Sequence, residues 1–244
     1  PRVTTGLQRE LAPQGVQLDA TAGRGRRPRV PLVPGASLSV LLVAGDATVG
    51  AVGTVTWVDG RRLLGFGHPF LSLGATRLLL GDAYVFETVP ARQDASSYKL
   101  AEAGGVQGGI TADRADGVSG LTGPADAVRV VAAASDRGRG TRSVVRVWLT
   151  PDARVAPQMA DALQAEPLAR AVDGLPAGTL TLRVRVTGDG LPRPVTYRNR
   201  YAASADLGPV TEGALRRILN VLMANGLRPV TPRTPGLVVC KPTL

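Results

Sequence analysis

Residues 49–66 read VGAVGTVTWVDGRRLLGF and contain two apolar runs separated by Asp59-Gly60. An Asp-Gly pair between two such runs is a strong signal for a β-hairpin. The runs predict one strand over residues 49–58 and a second strand over residues 62–66. Any fold assigned to this chain must therefore contain this hairpin.

Short apolar runs separated by turn residues continue along most of the chain. Glycine (30) and proline (19) are abundant among the 244 residues, which favours many short strands over long helices. Since aromatic residues make up only 4% of the chain, valine, leucine and alanine must supply most of the core. We predict further strands at residues 37–43, 76–80, 83–89, 106–112, 127–134, 143–149, 179–187, 194–202 and 237–240.

Two segments in the C-terminal third have helical periodicity. Residues 158–172 are predicted to be helical, with an interruption at Pro167. Residues 211–225 carry an apolar stripe at i, i+3, i+4 spacing, with Thr211 as the expected N-cap and Gly226 as the expected stop. The sequence therefore predicts a mainly β fold with a smaller α+β part at its C-terminal end.

Changes in composition along the chain predict three regions. Residues 1–34 form an N-terminal extension with an exposed basic loop at residues 23–29. Residues 35–150 form the β core, and residues 151–244 form the α+β C-terminal part.

The chain is strongly basic, with a formal net charge of +10. Of its 29 basic residues all but Lys99 and Lys241 are arginine. A basic surface attracts polyanions, so an anionic polymer is a candidate partner through the arginines; a biased amino-acid composition accounts for the same charge. Nucleic-acid binding is disfavoured, because the sequence contains no recognition module and few aromatic residues for base stacking.

Several classes of site are absent from the sequence. One cysteine, Cys240, and one histidine exclude an internal disulfide and a Cys/His zinc site. The sequence contains no phosphate-binding loop of the Gly-x-x-x-x-Gly-Lys-Ser/Thr type and no dense carboxylate cluster. We therefore predict no metal and no cofactor. Since no apolar run reaches membrane-spanning length, we also predict no transmembrane segment in this chain.

The single histidine, His68, follows the second strand of the hairpin in the sequence Gly65-Phe66-Gly67-His68-Pro69. Glycine on either side of a strand end allows a sharp bend, and Pro69 fixes the exit of the chain from the turn. A histidine held in this way is suited to act as a general base. A purely structural role in the turn is the alternative reading.

Two blocks of sequence resemble the stage IV sporulation protein B family of serine peptidases. The first block comprises residues 52–60 and 64–70, a Gly-Thr-hydrophobic-Thr strand followed by a hairpin and a Gly-His element. The second comprises residues 108–120, a Gly-x-Ile-Thr strand followed by a turn and a Gly-hydrophobic-x-Gly element. The resemblance covers roughly residues 35–125 and keeps the order of the family.

The resemblance implies a chymotrypsin-like barrel-type core and a serine endopeptidase activity on a protein or peptide substrate. His68 matches the catalytic histidine, and Gly65, Gly67 and Pro69 would set the backbone around it. By the same resemblance, the protein is expected outside the cytoplasm, in the periplasm, in the cell envelope or in a secreted form.

The serine motif of the family, Gly-Met-Ser-Gly-Ser-Pro, does not occur in this chain. Ser119, in Gly117-Val118-Ser119-Gly120, is the nearest substitute, although a Gly-x-Ser-Gly string is a weak nucleophile signature. Ser96-Ser97 near Lys99 form a second candidate, because a Ser–Lys pair can perform acyl chemistry. Asp46 and Asp82 each follow a glycine and are candidates either for turns or for orienting the histidine.

The missing serine has two explanations that imply different functions. Some relatives carry the serine segment before the histidine segment, so the nucleophile is expected upstream of Pro1 in a longer precursor. Alternatively, catalysis has been lost and the same barrel serves as a binding or assembly module of the cell envelope, with an envelope protein as its partner. The sequence leaves open whether the chain is an enzyme.

Overall fold

The computed structural model describes residues 28–90, 98–172, 177–205, 207, 211–225, 230–236 and 238–243. The fold is mainly β, with a smaller α+β part at the C-terminal end, and this confirms the predicted class. The chain divides into two compact units. Among the described residues, the first unit contains residues 28–44 and 48–126, and the second contains residues 45–47 and the described part of the chain from residue 127 onward.

Six antiparallel strands form the first unit. They are β1 (Ser37–Gly45), β2 (Val49–Asp59), β3 (Arg62–Gly65), β4 (Gly74–Val89), β5 (Tyr98–Arg114) and β6 (Gly117–Thr122). The strands pair in the order β1-β2-β3-β6-β5-β4, and β4 pairs again with β1. This closed ring, which we call the ring unit, agrees with the predicted barrel-type core.

The hairpin of residues 49–66 lies in the ring as predicted. Asp59 pairs with Arg62, so Gly60 and Arg61 form a two-residue turn, and Gly60 takes the positive φ of 54° that such turns require. The core of the ring is aliphatic. Leu38, Val40, Leu63, Leu79 and Ile110 are all at most 1% exposed.

Two strand predictions in the ring unit are wrong. Residues 76–80 and 83–89 belong to one strand, β4, because Gly81-Asp82 does not form a turn. A Cβ atom at Gly81 would lie 2.6 Å from the Ser39 hydroxyl, so glycine at this position allows close packing of β1 and β4. Strand β6 was not predicted. Its Gly120 allows close approach to β5, since a Cβ atom there would lie 2.7 Å from the Gly109 carbonyl oxygen.

The second unit contains six strands and three helices in the described part of the chain. They are β7 (Val128–Asp136), β8 (Thr141–Leu149), α1 (Ala156–Leu163), α2 (Ala165–Ala171), β9 (Gly178–Asp189), β10 (Val195–Ala203), α3 (Ala214–Ala224), β11 (Thr231–Gly236) and β12 (Val238–Thr243). β12 pairs in parallel with β7 and antiparallel with β9, and β9 also pairs with β10 and β11. Helices α1 and α2 contact β8, and α3 contacts α1 and β11. The predicted limits at residues 34 and 150 stay predictions.

The helix predictions for this unit needed two corrections. The predicted helix of residues 158–172 is two helices, since Pro167 has no N–H to donate to the Leu163 carbonyl and the chain breaks at Gln164. Thr211 is not the N-cap of α3, which begins at Ala214 after Gly213 with a φ of 78°. The predicted stop, Gly226, lies outside the described residues.

Candidate functional site

His68 lies in the exposed loop that follows β3 in the ring unit. Its Nδ1 atom is 2.8 Å from the Pro69 carbonyl oxygen. Because a carbonyl can only accept a hydrogen bond, Nδ1 must carry the hydrogen in this contact. In the neutral ring this leaves the lone pair on Nε2, which is the atom that a general base uses.

The backbone before His68 is held in a tight turn. Phe66 has a φ of 73°, which is uncommon for a residue other than glycine, and the Gly67 N–H donates to the Gly65 carbonyl at 3.1 Å. The Phe66 N–H also donates to the Thr54 carbonyl on β2 at 2.9 Å. Unusual backbone of this kind persists only where the surroundings enforce it, and it is concentrated at functional sites.

Glycines allow the turn to pack against its neighbours. A Cβ atom at Gly65 would lie 2.3 Å from Leu38 Cδ2 in the core, so a larger residue would not fit there. Gly117 on β6 packs against the turn from the other side, where a Cβ atom would lie 2.6 Å from the Gly65 carbonyl oxygen. Gly67 has open space around it but a φ of 82°, so its need for glycine is conformational.

The ring of Phe66 connects the strand β2 to His68. It lies directly over Gly53, where a Cβ atom would come within 2.0 Å of Phe66 Cδ1. The Phe66 and His68 rings are 5.5 Å apart between centroids with an interplanar angle of 44°, and Phe70 meets Phe66 edge-on at 6.2 Å. The imidazole is thus placed by aromatic packing as well as by its own backbone.

The loop after His68 is fixed by Asp113, at the end of β5. Its side chain is fully buried, and its two oxygens accept hydrogen bonds from the N–H groups of Phe70 (2.7 Å), Leu71 (2.8 Å) and Leu73 (3.1 Å). A buried carboxyl group requires such partners, and together they anchor the loop. Sequence reasoning missed both Phe66 and Asp113, although Asp113 stands within the second block of the family resemblance.

Ser119 lies within strand β6 and not on a nucleophile turn. Its Cα partners are Leu64 on β3 and Ala112 on β5, and its carbonyl accepts the hydroxyl of Thr111 at 3.3 Å. Within the residues that the structure covers, no hydrogen bond joins Ser119 to His68. Ser96 and Ser97 lie outside the described residues.

Lys99 contacts two other hydroxyl groups. Its Nζ atom donates to Ser37 Oγ at 3.1 Å and to Thr54 Oγ1 at 2.8 Å. Ser37 is only 6% exposed. These two hydrogen bonds join β5 to β1 and β2.

The two aspartates considered as orienting groups bind backbone atoms elsewhere. Asp46 Oδ2 accepts the Arg146 N–H at 2.8 Å, and Asp82 Oδ2 accepts the Val30 N–H at 2.6 Å. In the part of the chain covered by the structure, the group that accepts the Nδ1 hydrogen of His68 is a backbone carbonyl.

Three exposed apolar side chains share one face of the ring along β2, β3 and β6. Trp57 on β2 pairs with Leu64 on β3, and both are 46% exposed. Leu121 on β6 is exposed as well and is the partner of Arg62.

No group of three or more His, Cys, Asp or Glu side chains suited to a metal ion occurs among the residues that the structure describes. A cleft of about 380 Å³ lies in the second unit, where Val221 and Leu222 of α3 face Tyr197 of β10. None of the predicted site residues lines it. In addition, none of the described helices has the length and apolar character needed to span a membrane.

Comparison of the chain with protein-family models, with curated proteins and with solved structures gave no match.

Proposed function

We propose that the chain is a serine endopeptidase-like domain of the sporulation protein B type, in which His68 is the general base. The observation that carries the proposal is the hydrogen bonding and exposure of the imidazole. Its Nδ1–H is bound to the Pro69 carbonyl, and its ring is exposed on a loop fixed by Phe66 and Asp113. A solvent-facing base in a prepared position is what proton removal from a nucleophilic serine requires.

In the proposed mechanism, Nε2 of His68 takes the proton of a serine hydroxyl as the oxygen attacks the scissile carbonyl. The imidazolium then returns this proton to the leaving amine. The Pro69 carbonyl can accept the Nδ1–H throughout, because this hydrogen is present in both the neutral and the charged ring. We propose that the nucleophile is a serine in a segment outside the described residues. Within the described residues, Ser119 is the alternative candidate.

The proposed substrate is a protein or peptide outside the cytoplasm. The exposed side chains of Trp57, Leu64 and Leu121 are apolar and lie on the strands that lead into the histidine loop. Such a surface suits an unfolded peptide segment or the domain that carries the serine.

The proposal is tested by reaction of the full-length protein with a fluorophosphonate, followed by intact-mass measurement. The reagent bonds to a serine oxygen and releases fluoride only when that serine is activated. We expect one adduct in the natural protein and none in His68→Ala or His68→Gln. The second variant keeps a polar side chain that can occupy the loop but cannot act as the base. As a control, Ser119→Ala removes a serine hydroxyl from β6, the strand that pairs with β3. This variant is expected to form the same adduct as the natural protein.

Each other outcome has a definite meaning. An adduct that persists in His68→Gln would contradict the role of His68 as base. An adduct that disappears in Ser119→Ala would place the nucleophile in this chain. Absence of any adduct in the natural protein would contradict the peptidase proposal and favour a binding or assembly module of the cell envelope.

A further inference from the structure

Strands β9 and β10 form an antiparallel ribbon that carries four arginines on one face. Arg183 is the direct partner of Arg198. Arg185 and Arg200 lie two residues further along their strands, opposite Thr196 and Thr181. Since paired residues and residues two apart share a face of a sheet, all four arginines point to the same side. We call this surface the arginine face.

The arginine face is the solvent side of the ribbon. All four arginine side chains are exposed, whereas the alternate residues of β9 are buried: Leu180, Leu182, Val184 and Val186. Tyr197 and Tyr201 of β10 pair with Val184 and Leu180 and therefore lie on the buried side. The other residues that pair between β9 and β10 on the arginine face are threonines and Ala202.

Positive charge predominates on this face, because β9 and β10 carry four arginines on it and one acidic residue, Asp189, between them. The ion pairs found between residues that the structure describes, Arg154–Asp152 and Arg170–Glu166, involve none of its arginines. Like charges directly opposite each other destabilise a strand pair. The Arg183–Arg198 pair therefore costs the ribbon stability, and an external anion would compensate this cost.

We propose that the arginine face binds a linear polyanion with closely spaced phosphate groups. Directly opposite side chains are about 5 Å apart and side chains two residues apart about 7 Å, so neighbouring guanidinium groups can contact successive phosphates. Each guanidinium can donate two parallel hydrogen bonds to one phosphate. The hydroxyls of Thr181 and Thr196 lie among them as further donors.

The composition of the face favours a simple polymer over two other phosphate-bearing partners. A single-stranded nucleic acid would be expected to stack its bases on aromatic side chains, and the tyrosines of β10 lie on the opposite side. A membrane would be bound more firmly by apolar or aromatic side chains that enter it, and this face of the ribbon carries no large apolar residue.

The experiment is a titration of the full chain into fluorescently labelled inorganic polyphosphate, followed by fluorescence anisotropy at several salt concentrations. In the variant R183Q/R198Q we expect about fivefold weaker binding per arginine, and so roughly 25-fold for the pair. The slope of log affinity against log salt should fall by about two. The control R137Q/R139Q removes the same charge from the exposed turn between β7 and β8 and is expected to change the affinity less than twofold.

A second variant tests the geometry of the contact. R183K/R198K keeps the charge but loses the planar donor pair, so we expect binding several-fold weaker than in the natural protein. Circular dichroism confirms that each variant is folded. Equal loss of affinity in R183Q/R198Q and in R137Q/R139Q would overturn the proposal, as would the absence of binding to polyphosphate at moderate salt. Tighter binding to duplex DNA or to anionic vesicles than to polyphosphate would replace the polymer with that partner.

Discussion

At the scale of single residues, the histidine loop depends on contacts of very different range. The turn itself was predictable, because Gly65, Gly67 and Pro69 are close to His68 in sequence and each restricts or frees the backbone in a known way. The packing of Phe66 on Gly53 and the anchoring of the loop by Asp113 were not predictable, because these partners are 13 and about 40 residues away in the sequence. A pattern in one sequence shows local constraints and does not show which distant residues meet.

We expect Gly53→Ala to displace the Phe66 ring and to loosen His68. The new Cβ atom would lie 2.0 Å from Phe66 Cδ1, and forced overpacking of this kind costs about 1–3 kcal/mol of the free energy of unfolding. Denaturant unfolding measures the cost, and NMR of the single histidine measures the change in its surroundings. Gly105→Ala is the matched control, since nothing lies within 4 Å of a Cβ atom there. If both variants behave alike, Phe66 does not hold the loop.

At the scale of elements, helix α3 shows how a distant side chain can take the place of a local cap. Thr211 was the predicted N-cap, but α3 begins after Gly213, and the first turn is satisfied by Asp161 of α1. The Asp161 carboxylate accepts the N–H of Gly213 at 2.6 Å and that of Arg216 at 3.3 Å. The stripe of apolar residues predicted the helix correctly, while its start was decided by a residue more than 50 positions earlier.

Burial raises the pKa of Asp161 above the ordinary value of 3.8, although its backbone hydrogen bonds and Arg216 act in the opposite direction. A raised pKa means that the folded protein holds this proton more tightly than the unfolded chain does. The resulting stabilisation is fully present below the pKa of the unfolded carboxyl group and is lost as the pH rises through the pKa of the folded protein.

We therefore expect the free energy of unfolding of the natural protein to fall, relative to that of Asp161→Asn, as the pH rises from below 4 toward neutrality. Urea unfolding of both proteins across this range measures the difference. Asn cannot titrate, so any constant effect of its amide leaves the dependence on pH unchanged. A difference that is constant with pH, or that moves in the opposite direction, would contradict the raised pKa.

At the scale of the whole molecule, the strands were largely predictable and their closure into a ring was not. Short apolar runs bounded by turn residues indicated most of the strands, yet no local signal shows that β1 pairs with both β2 and β4. Val40, for example, has Ala51 as its partner on one side and Leu80 on the other. Burial of both faces removes the alternation from β1, so its eight buried residues form a continuous apolar and serine run.

This pairing predicts an uneven stability against opening. We expect the amides at the centre of β1, around Val40 and Leu41, to be among the slowest to exchange with deuterium, because β1 is paired on both sides. β10 is paired with β9 alone among the described strands, so its amides should exchange earlier. Native-state hydrogen exchange followed by mass spectrometry tests this order. Equal protection of β1 and β10 would contradict it.

The closure of the ring also has a consequence for the order of events during synthesis. The histidine loop follows β3, but the side chain that anchors it, Asp113, stands at the far end of β5. A growing chain can form the hairpin of residues 49–66 early, since its contacts are local, whereas the pairing of β4 and β5 must wait for residues made later. The loop that carries His68 is thus fixed in position only after β5 has joined the ring, so a half-made chain leaves this loop without its anchor.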